Sequence, residues 1–454
     1  MKTYHIALMA ALLALTLVQP AYAGWYDTAW VYRKNITFNS SLIAQDGLSD
    51  FPALINISDS SLSTFAEPSG DDILFTDSDG TTKLDHEIEN FTYSIGTLVA
   101  WVRIPNLYNT TNQTIYMYFN SSGSPNQQNR TGVWNASWLA VWHFSDRGAR
   151  NNDSTRYNNN GTRFNGVGGV LTSQDGGIGG ANNFDGADDG INVTQNAVIN
   201  NLKQFSLVAW VNADTYGESS FGRIMDKQSW LLFVGNTNST TKQTTRMNID
   251  FATNDGFYNA ANNTMRTNSW QHTVVTYNVS AAATTNATFY RNGSLIATFR
   301  DGVLPSGAYV SDAAFNLVIG NSDAPGSSLA RTFDGKMTEV RIYNGTLNPD
   351  QIKTEYNNQY VPSTFISVGG GEALTCNPPP LNQGNPVNWT IEASDNCVID
   401  GKSIQVTNIF IQGSSGTVIF RNSNVTATDC RIQPNAGSLI TLAIEAFVNW
   451  GNAC

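Results

Sequence analysis

The chain has 454 residues, a formal net charge of −11 and only 13 % charged residues, 25 Lys+Arg against 36 Asp+Glu. Nucleic acid and anionic lipid both require a basic footprint, so neither is expected as the main partner. Hydrophobic residues at 41 % and aromatics at 11 % supply real cores and exclude wholesale disorder, and the length suggests about three domains.

Residues 1–23 read as a secretory signal: Lys2 and His5 open it, 6–18 are apolar, and Ala21-Tyr22-Ala23 is a small-x-small cleavage site before Gly24. The apolar run is too short for a bilayer, which takes about 20 residues. No later stretch approaches that length, so an exported chain with no transmembrane segment is expected. From there the pattern has period two, with turn residues at short intervals. Strands are predicted near 36–38, 53–57, 98–102 and 115–119, and later near 205–211, 230–234, 272–277, 287–290 and 317–320. Asp79-Gly80, Asn292-Gly293 and Asp334-Gly335 are hairpin signals. Only 348–360 reads helical, with Asn348 as N-cap and Pro349 at the first position. Many short strands at this spacing predict an all-β protein of sandwiches or barrels. The expected boundaries are an N-terminal β domain over 24–137, a central domain over 138–362, a linker over 363–375 and a Cys-containing β tail over 376–454.

The central segment carries a series of motifs. Ala140-Val141-Trp142-His143-Phe144, Asn159-Asn160-Gly161-Thr162 and Asn183-Phe184-Asp185-Gly186-Ala187-Asp188-Asp189 come first. Phe205-Ser206-Leu207-Val208-Ala209-Trp210-Val211, Trp270-Gln271-His272 and Tyr290-Arg291-Asn292-Gly293 follow, and Glu339-Val340-Arg341-Ile342-Tyr343-Asn344 precedes the helix. In this order they resemble a laminin-G-like (concanavalin A-like) jelly roll, which implies an antiparallel β-sandwich. Residues 24–135, through Trp30-Val31-Tyr32-Arg33-Lys34, Asp71-Asp72-Ile73-Leu74-Phe75 and Leu84-Asp85-His86-Glu87-Ile88-Glu89, resemble a domain of unknown function that often precedes such jelly rolls in microbial surface proteins.

Asp185, Asp188 and Asp189 in a Gly-rich turn offer hard oxygen ligands for calcium, which takes six to eight oxygens, or they satisfy turn backbone. The resemblance implies a structural calcium, although Thr338 stands where relatives usually carry an acidic residue. Trp230, Phe257 and Tyr258 are expected on a glycan-binding rim, while Trp142, Trp210 and Trp270 match core positions. His272 is expected packed within its sheet. Asp85, Glu87 and Glu89 alternate along one strand and share a face; they are read as an acidic solvent face rather than a catalytic pair. Cys376, Cys397, Cys430 and Cys454 predict local disulfides, with three connectivities open and Cys376–Cys397 closing the shortest loop, while the terminal Cys454 is also placed to cross-link chains. Twenty N-x-S/T triplets, among them Asn35, Asn120, Asn160, Asn292, Asn344 and Asn424, are about twice the number chance gives and predict a glycoprotein. The expectation is a secreted or cell-surface, non-enzymatic adhesion protein that binds glycans or surface and matrix proteins. A structural envelope or filament subunit, and a glycoside hydrolase, are the alternatives.

Overall fold

The computed structural model describes residues 24–146, 150–164, 172–174, 177–235, 243–280, 286–322, 331–374, 376, 386–393, 397–400, 403–413, 416–421, 424–436, 439–445 and 449–450. The expected signal segment and Cys454 lie outside the described residues. The chain divides into two units: one is formed by Ala29–Ser78 and Thr82–Leu374, the other by the remaining N-terminal residues, Asp79–Thr81 and Thr375–Cys454.

The larger unit opens with β1 (Tyr32–Phe38), β2 (Leu48–Ser58), β3 (Leu74–Thr76), β4 (Lys83–Leu84), β5 (His86–Thr92), β6 (Thr97–Leu107) and β7 (Gln113–Phe119). β2, β6 and β5 form a three-stranded antiparallel sheet, and β1, β7, β3 and β4 belong to a five-stranded one. Alternating apolar residues pack between them around Phe38, Phe51, Ile55, Ile104 and Met117.

The chain continues with β8 (Trp138–Trp142), β9 (Arg150–Asn151), β10 (Gly161–Phe164), β11 (Thr172–Gln174), β12 (Ala181–Asp185), β13 (Gly190–Val193), β14 (Gln204–Ala213), β15 (Arg223–Asp226) and β16 (Trp230–Gly235). After them come β17 (Thr244–Ile249), β18 (Gly256–Ala260), β19 (Gln271–Asn278), β20 (Ala287–Arg291), β21 (Ser294–Ile296), β22 (Thr298–Asp301), β23 (Leu317–Ile319), β24 (Asp334–Asn344) and β25 (Ile366–Ala373). A nine-stranded sheet runs β22-β18-β17-β16-β15-β23-β13-β10-β9. An eight-stranded one runs β11-β12-β24-β14-β19-β20-β21, with β8 also on β24. All their pairings are antiparallel, and one core fills the space between the sheets, as a jelly roll requires. Asn292-Gly293 makes the expected tight turn, with φ of 51° and 70° between β20 and β21. Asp334-Gly335 instead begins β24, with Asp334 opposite Asp185.

The segment 363–375, expected as a linker, contains β25, which pairs antiparallel with β1 from Tyr32↔Ala373 to Phe38↔Ile366. Phe365 and Ile366 are buried in the first sandwich, so the chain returns from the jelly roll to complete the first domain. The helix Pro349–Tyr360 is capped as expected, the Asn348 side chain accepting from the Asp350 N–H at 2.9 Å. It ties the two sandwiches together. Asn358 bonds both the N–H and the C=O of Leu54 on β2, at 2.7 and 3.0 Å, and Gln359 accepts from the Trp210 indole at 2.6 Å.

The second unit is built differently. Its strands pair in parallel: Trp389–Glu392 with Asn408–Gly413 and Asp429–Pro434, Val398–Asp400 with Gly416–Arg421 and Ile440–Glu445, and Ser403–Gln405 with Asn424–Thr426 and Asn449–Trp450. This is a three-faced solenoid. Asn408 donates to Asn388 on the rung before it, and Gln412 to Glu392. The Cys376–Cys397 disulfide closes its start, and Cys430 is disulfide-bonded too.

Candidate functional sites

In the nine-stranded sheet, Met225, Leu232, Met247 and Tyr258 point into the core, so their strand neighbours point outward. One outward row runs Arg223, Phe233, Arg246, Asn259 and Phe299 across five strands; the next runs Leu231, Asn248, Phe257 and Asp301. Arg223 and Arg246 lie over the Phe233 ring at 4.7 and 5.5 Å, and Arg246 pairs with Asp301 at 3.1 Å. Phe299 is 57 % exposed, Phe257 is half-buried, and the Asn248 Oδ1 has no hydrogen-bond partner among the described residues. An exposed ring among fixed amides and an ion pair is a surface that can take a ligand with both apolar and polar faces.

The expected rim is corrected at two of its three residues. Trp230 is fully buried, its ring 5.5 Å from Phe205 and its indole donating to Asp312 at 3.0 Å. Tyr258 is also fully buried, edge-on to Tyr277. Both occupy the inward phase of strands whose outward phase also carries aromatic or aliphatic side chains, Leu231 and Phe233 beside Trp230 and Phe257 beside Tyr258, so residue type alone does not distinguish core from surface there. Phe257 stays on the outer face. The sequence reading missed Phe299, which register pairs with Asn259.

Asp185 ends β12, and Asp188 and Asp189 lead into β13. Asp185 Oδ1 accepts from the Ala187 and Asp188 N–H groups at 2.9 and 3.3 Å, so part of the cluster does satisfy turn backbone. Asp189 Oδ2 accepts from the Asp185 N–H at 3.0 Å, but its Oδ1, in a residue only 1 % exposed, has no partner among the described residues. One ligand oxygen from each carboxylate lies within 4.8 Å of the others. Burial, with Asp185 and Asp188 nearby, pushes the Asp189 carboxyl up to about 6. An orphaned buried oxygen in a set of three carboxylates fits a hard cation. Thr338 adds nothing, because its hydroxyl donates to the His143 C=O at 2.8 Å.

Glu87 and Glu89 do share a face of β5, but the jelly roll covers it, which overturns the solvent-face expectation for both. Glu87 accepts from the Trp134 indole at 3.0 Å and the Ser154 hydroxyl at 2.6 Å; Glu89 accepts from the Trp101 indole at 2.9 Å. His143 stacks on Trp101 and joins the two domains: Nε2 lies 3.3 Å from Glu87, and Nδ1 lies 3.7 Å from Glu89 and 2.7 Å from Glu339. Glu339 sits at a bulge in β24 with φ of 51°, a left-handed conformation that aims its side chain at His143. Arg341 completes the set, donating to Glu339 and lying 4.5 Å over Trp101 and 4.8 Å over Trp134. Burial opposes charge on His143, yet Glu339, Glu87 and Glu89 hold its pKa well above the usual value. Burial likewise opposes charge on Glu339, but His143 and Arg341 bring its pKa below the usual range. Burial raises Glu89 to about 8. Its ion pairs make the set a clasp between domains, although Glu89 Oε1 and Arg341 Nη1 have no hydrogen-bond partner among the described residues. Asp85 stands apart, bonded to Asn129 and Arg103. His272 is packed as expected, fully buried between Trp210 and Tyr356 and pushed down to about 3 by burial.

Of the expected glycan acceptors, Asn344 is exposed at the end of β24, while Asn35, Asn120, Asn160 and Asn292 are half-buried. Asn160 and Asn292 use their side-chain oxygens to accept from the N–H groups of Asp153 and His272. The side chain of Asn424 lies outside the described residues.

Residues 185–353 match the family described as the concanavalin A-like lectin/glucanases superfamily, and residues 69–160 match the domain of unknown function DUF2341. The two resemblances read from the motifs are thereby met. No curated protein matches the chain in sequence. Among solved structures it is similar to domain 4 of AbnA, a GH43 extracellular arabinanase from Geobacillus stearothermophilus in complex with arabinotriose. Identity is 18 %, over 49 % of this chain and 98 % of that one, with a TM-score of 0.32. It is also similar to the receptor binding domain of botulinum neurotoxin mosaic serotype C/D, at 14 % identity, 50 % of this chain, 51 % of that one and a TM-score of 0.36. The binding domain of Paraclostridial Mosquitocidal Protein 1 gives 13 % identity, 49 % and 52 % coverage and a TM-score of 0.35. The chain thus spans about half the length of the last two.

Proposed function

We propose that the protein is an exported, non-enzymatic adhesion protein that binds glycans or surface proteins through the outer face of the nine-stranded sheet, with a calcium ion held at Asp185, Asp188 and Asp189. The observation that carries the binding role is the exposed Phe299 ring beside Phe257, Asn248, Asn259 and the Arg246–Asp301 pair, on a fold whose family includes lectins. Export is supported by the signal-like N-terminus and by the Cys376–Cys397 disulfide, which suits an oxidising compartment. Among the described residues no helix is long and apolar enough to cross a membrane. The non-enzymatic reading is supported by the fate of Glu87 and Glu89, two of the three alternating carboxylates weighed for glycoside hydrolysis, which face a buried His and two Trp rings.

The test is a glycan and matrix-protein array probed with the full-length protein and with Phe299→Ala/Phe257→Ala. Saturable binding that the double variant loses supports the proposal. Binding that the variant leaves intact removes this face from it, and polysaccharide cleavage by the wild type overturns the non-enzymatic reading.

A further inference from the structure

We infer that the first domain carries a saccharide site of its own, a cleft at the corner where its two sheets meet, which takes a neutral sugar residue. The cleft encloses about 490 Å³, within the roughly 300–1,000 Å³ of small-ligand sites. It lies far along the chain from the jelly-roll face and shares no residue with it.

Its floor is apolar: Phe38 from β1, Leu84 from β4, Ile104 from β6 and Ile115 from β7 are each under 5 % exposed. Its rim is polar and held in place. Asn112 Oδ1 accepts from both the N–H and the hydroxyl of Ser40, at 2.9 Å each. Gln113 accepts from the Tyr108 N–H at 2.7 Å and donates to the Asn106 C=O at 2.9 Å. Fixing these amides costs no entropy when a ligand arrives. The Asn112 Nδ2, the Tyr108 hydroxyl and the Asn106 side-chain amide remain open to a ligand, because none of them has a hydrogen-bond partner among the described residues. The rim therefore offers donors and acceptors side by side over an apolar floor, with the exposed Tyr108 ring at the mouth. A pyranose has matching chemistry: hydroxyls around its edge and C–H groups on its face.

Charge decides which saccharides fit. Among the described lining residues Asp77 is the one acidic side chain, and none is a Lys or Arg. One carboxylate accepts from sugar hydroxyls but repels uronates, sulfates and phosphates, and the chain's net negative charge adds to that repulsion. The occupant is therefore a neutral glycan unit.

The test uses the full-length protein from a host that does not N-glycosylate, because Asn112-Gln113-Thr114 is itself an acceptor triplet. Lactose, maltose, cellobiose and chitobiose, with galacturonic acid as the anionic control, are titrated by calorimetry and saturation-transfer NMR. Two variants at exposed rim positions leave the core intact: Asn106→Trp narrows the mouth and Tyr108→Ala removes its ring. At least one neutral disaccharide should saturate, each variant should weaken it about tenfold or more, and Phe299→Ala/Phe257→Ala should leave it unchanged. Absence of saturable binding by every neutral sugar, preference for galacturonic acid, or indifference to both rim variants overturns the inference. Loss of binding in the Phe299→Ala/Phe257→Ala protein alone places the sugar on the jelly roll and overturns it as well.

Discussion

Replacing Glu339 by Gln tests the clasp between the two sandwiches most directly. The substitution keeps the volume and the left-handed backbone at φ 51° but removes the charge that faces both His143 Nδ1 and the Arg341 guanidinium. Arg341 is fully buried and Glu339 is the carboxylate that pairs with it among the described residues, so the variant strips a buried cation of its ion-pair partner beneath Trp101, Trp134 and Trp138. Breaking one partner of a buried pair costs about 3–5 kcal/mol. The larger unit, Ala29–Ser78 with Thr82–Leu374, has about 340 residues, and at roughly 2.1 cal/mol/K of unfolding entropy per residue that cost lowers Tm by about 4–7 °C. Differential scanning calorimetry at pH 7 reads the shift. Glu339→Gln/Arg341→Met should recover part of the loss, since it removes the orphaned cation as well. A Tm within about 1 °C of wild type for Glu339→Gln would show that the clasp contributes nothing and refute the reasoning.

The clasp also predicts a pH dependence. Glu89 keeps its proton in the fold up to about 8 but releases it in the unfolded chain near the ordinary carboxyl value of 4.5. The folded state therefore binds more protons across that window, and its stability falls as pH rises through it. The urea midpoint should be lower at pH 8.5 than at pH 5.5, and Glu89→Gln should reduce the difference, the raised His143 pKa supplying the rest; a midpoint that rises in wild type contradicts the assignment. Calcium should raise the melting temperature of the wild type and not of Asp189→Asn, by about 2.7 kcal/mol of stability at a hundredfold excess over Kd. Because the Asp189 carboxyl is pushed up to about 6, the calcium effect should shrink at pH 5; an equal shift in both proteins disproves the site. Trp230→Ala should destabilise the jelly roll by about 3–5 kcal/mol in denaturant titrations, whereas Phe299→Ala should leave stability within about 0.5 kcal/mol. The reverse order would return Trp230 to the surface.

Local pattern was enough for much of this architecture. Period-two runs specify strands wherever one face is buried, Asn348-Pro349 specifies where the helix starts, and Asn292-Gly293 specifies a turn with two left-handed residues. The tail also carried a legible signal that the strand reading did not use. Ile404-Gln405-Val406-Thr407-Asn408-Ile409 and Val425-Thr426-Ala427-Thr428-Asp429-Cys430 align at a period of 21 residues, the spacing by which Ser403–Gln405 registers with Asn424–Thr426 and Asn408–Gly413 with Asp429–Pro434. Phase was harder. In Trp230-Leu231-Leu232-Phe233-Val234 both faces of the strand are apolar, so the sequence holds no alternation from which to decide that Trp230 points inward and Phe233 outward.

The sequence by itself therefore determined the strand-rich class, the order of the jelly-roll motifs and the shared face of Glu87 and Glu89, because each depends on residues near one another in the chain. Only the tertiary structure decided that this face is buried, that β25 returns to complete the first domain, and that His143, Glu339 and Arg341 meet the two glutamates. Those outcomes depend on which surface covers which. Contacts between residues separated by 56 positions, as in Glu87–His143, or by 196, as in His143–Glu339, leave no periodic trace in a single chain.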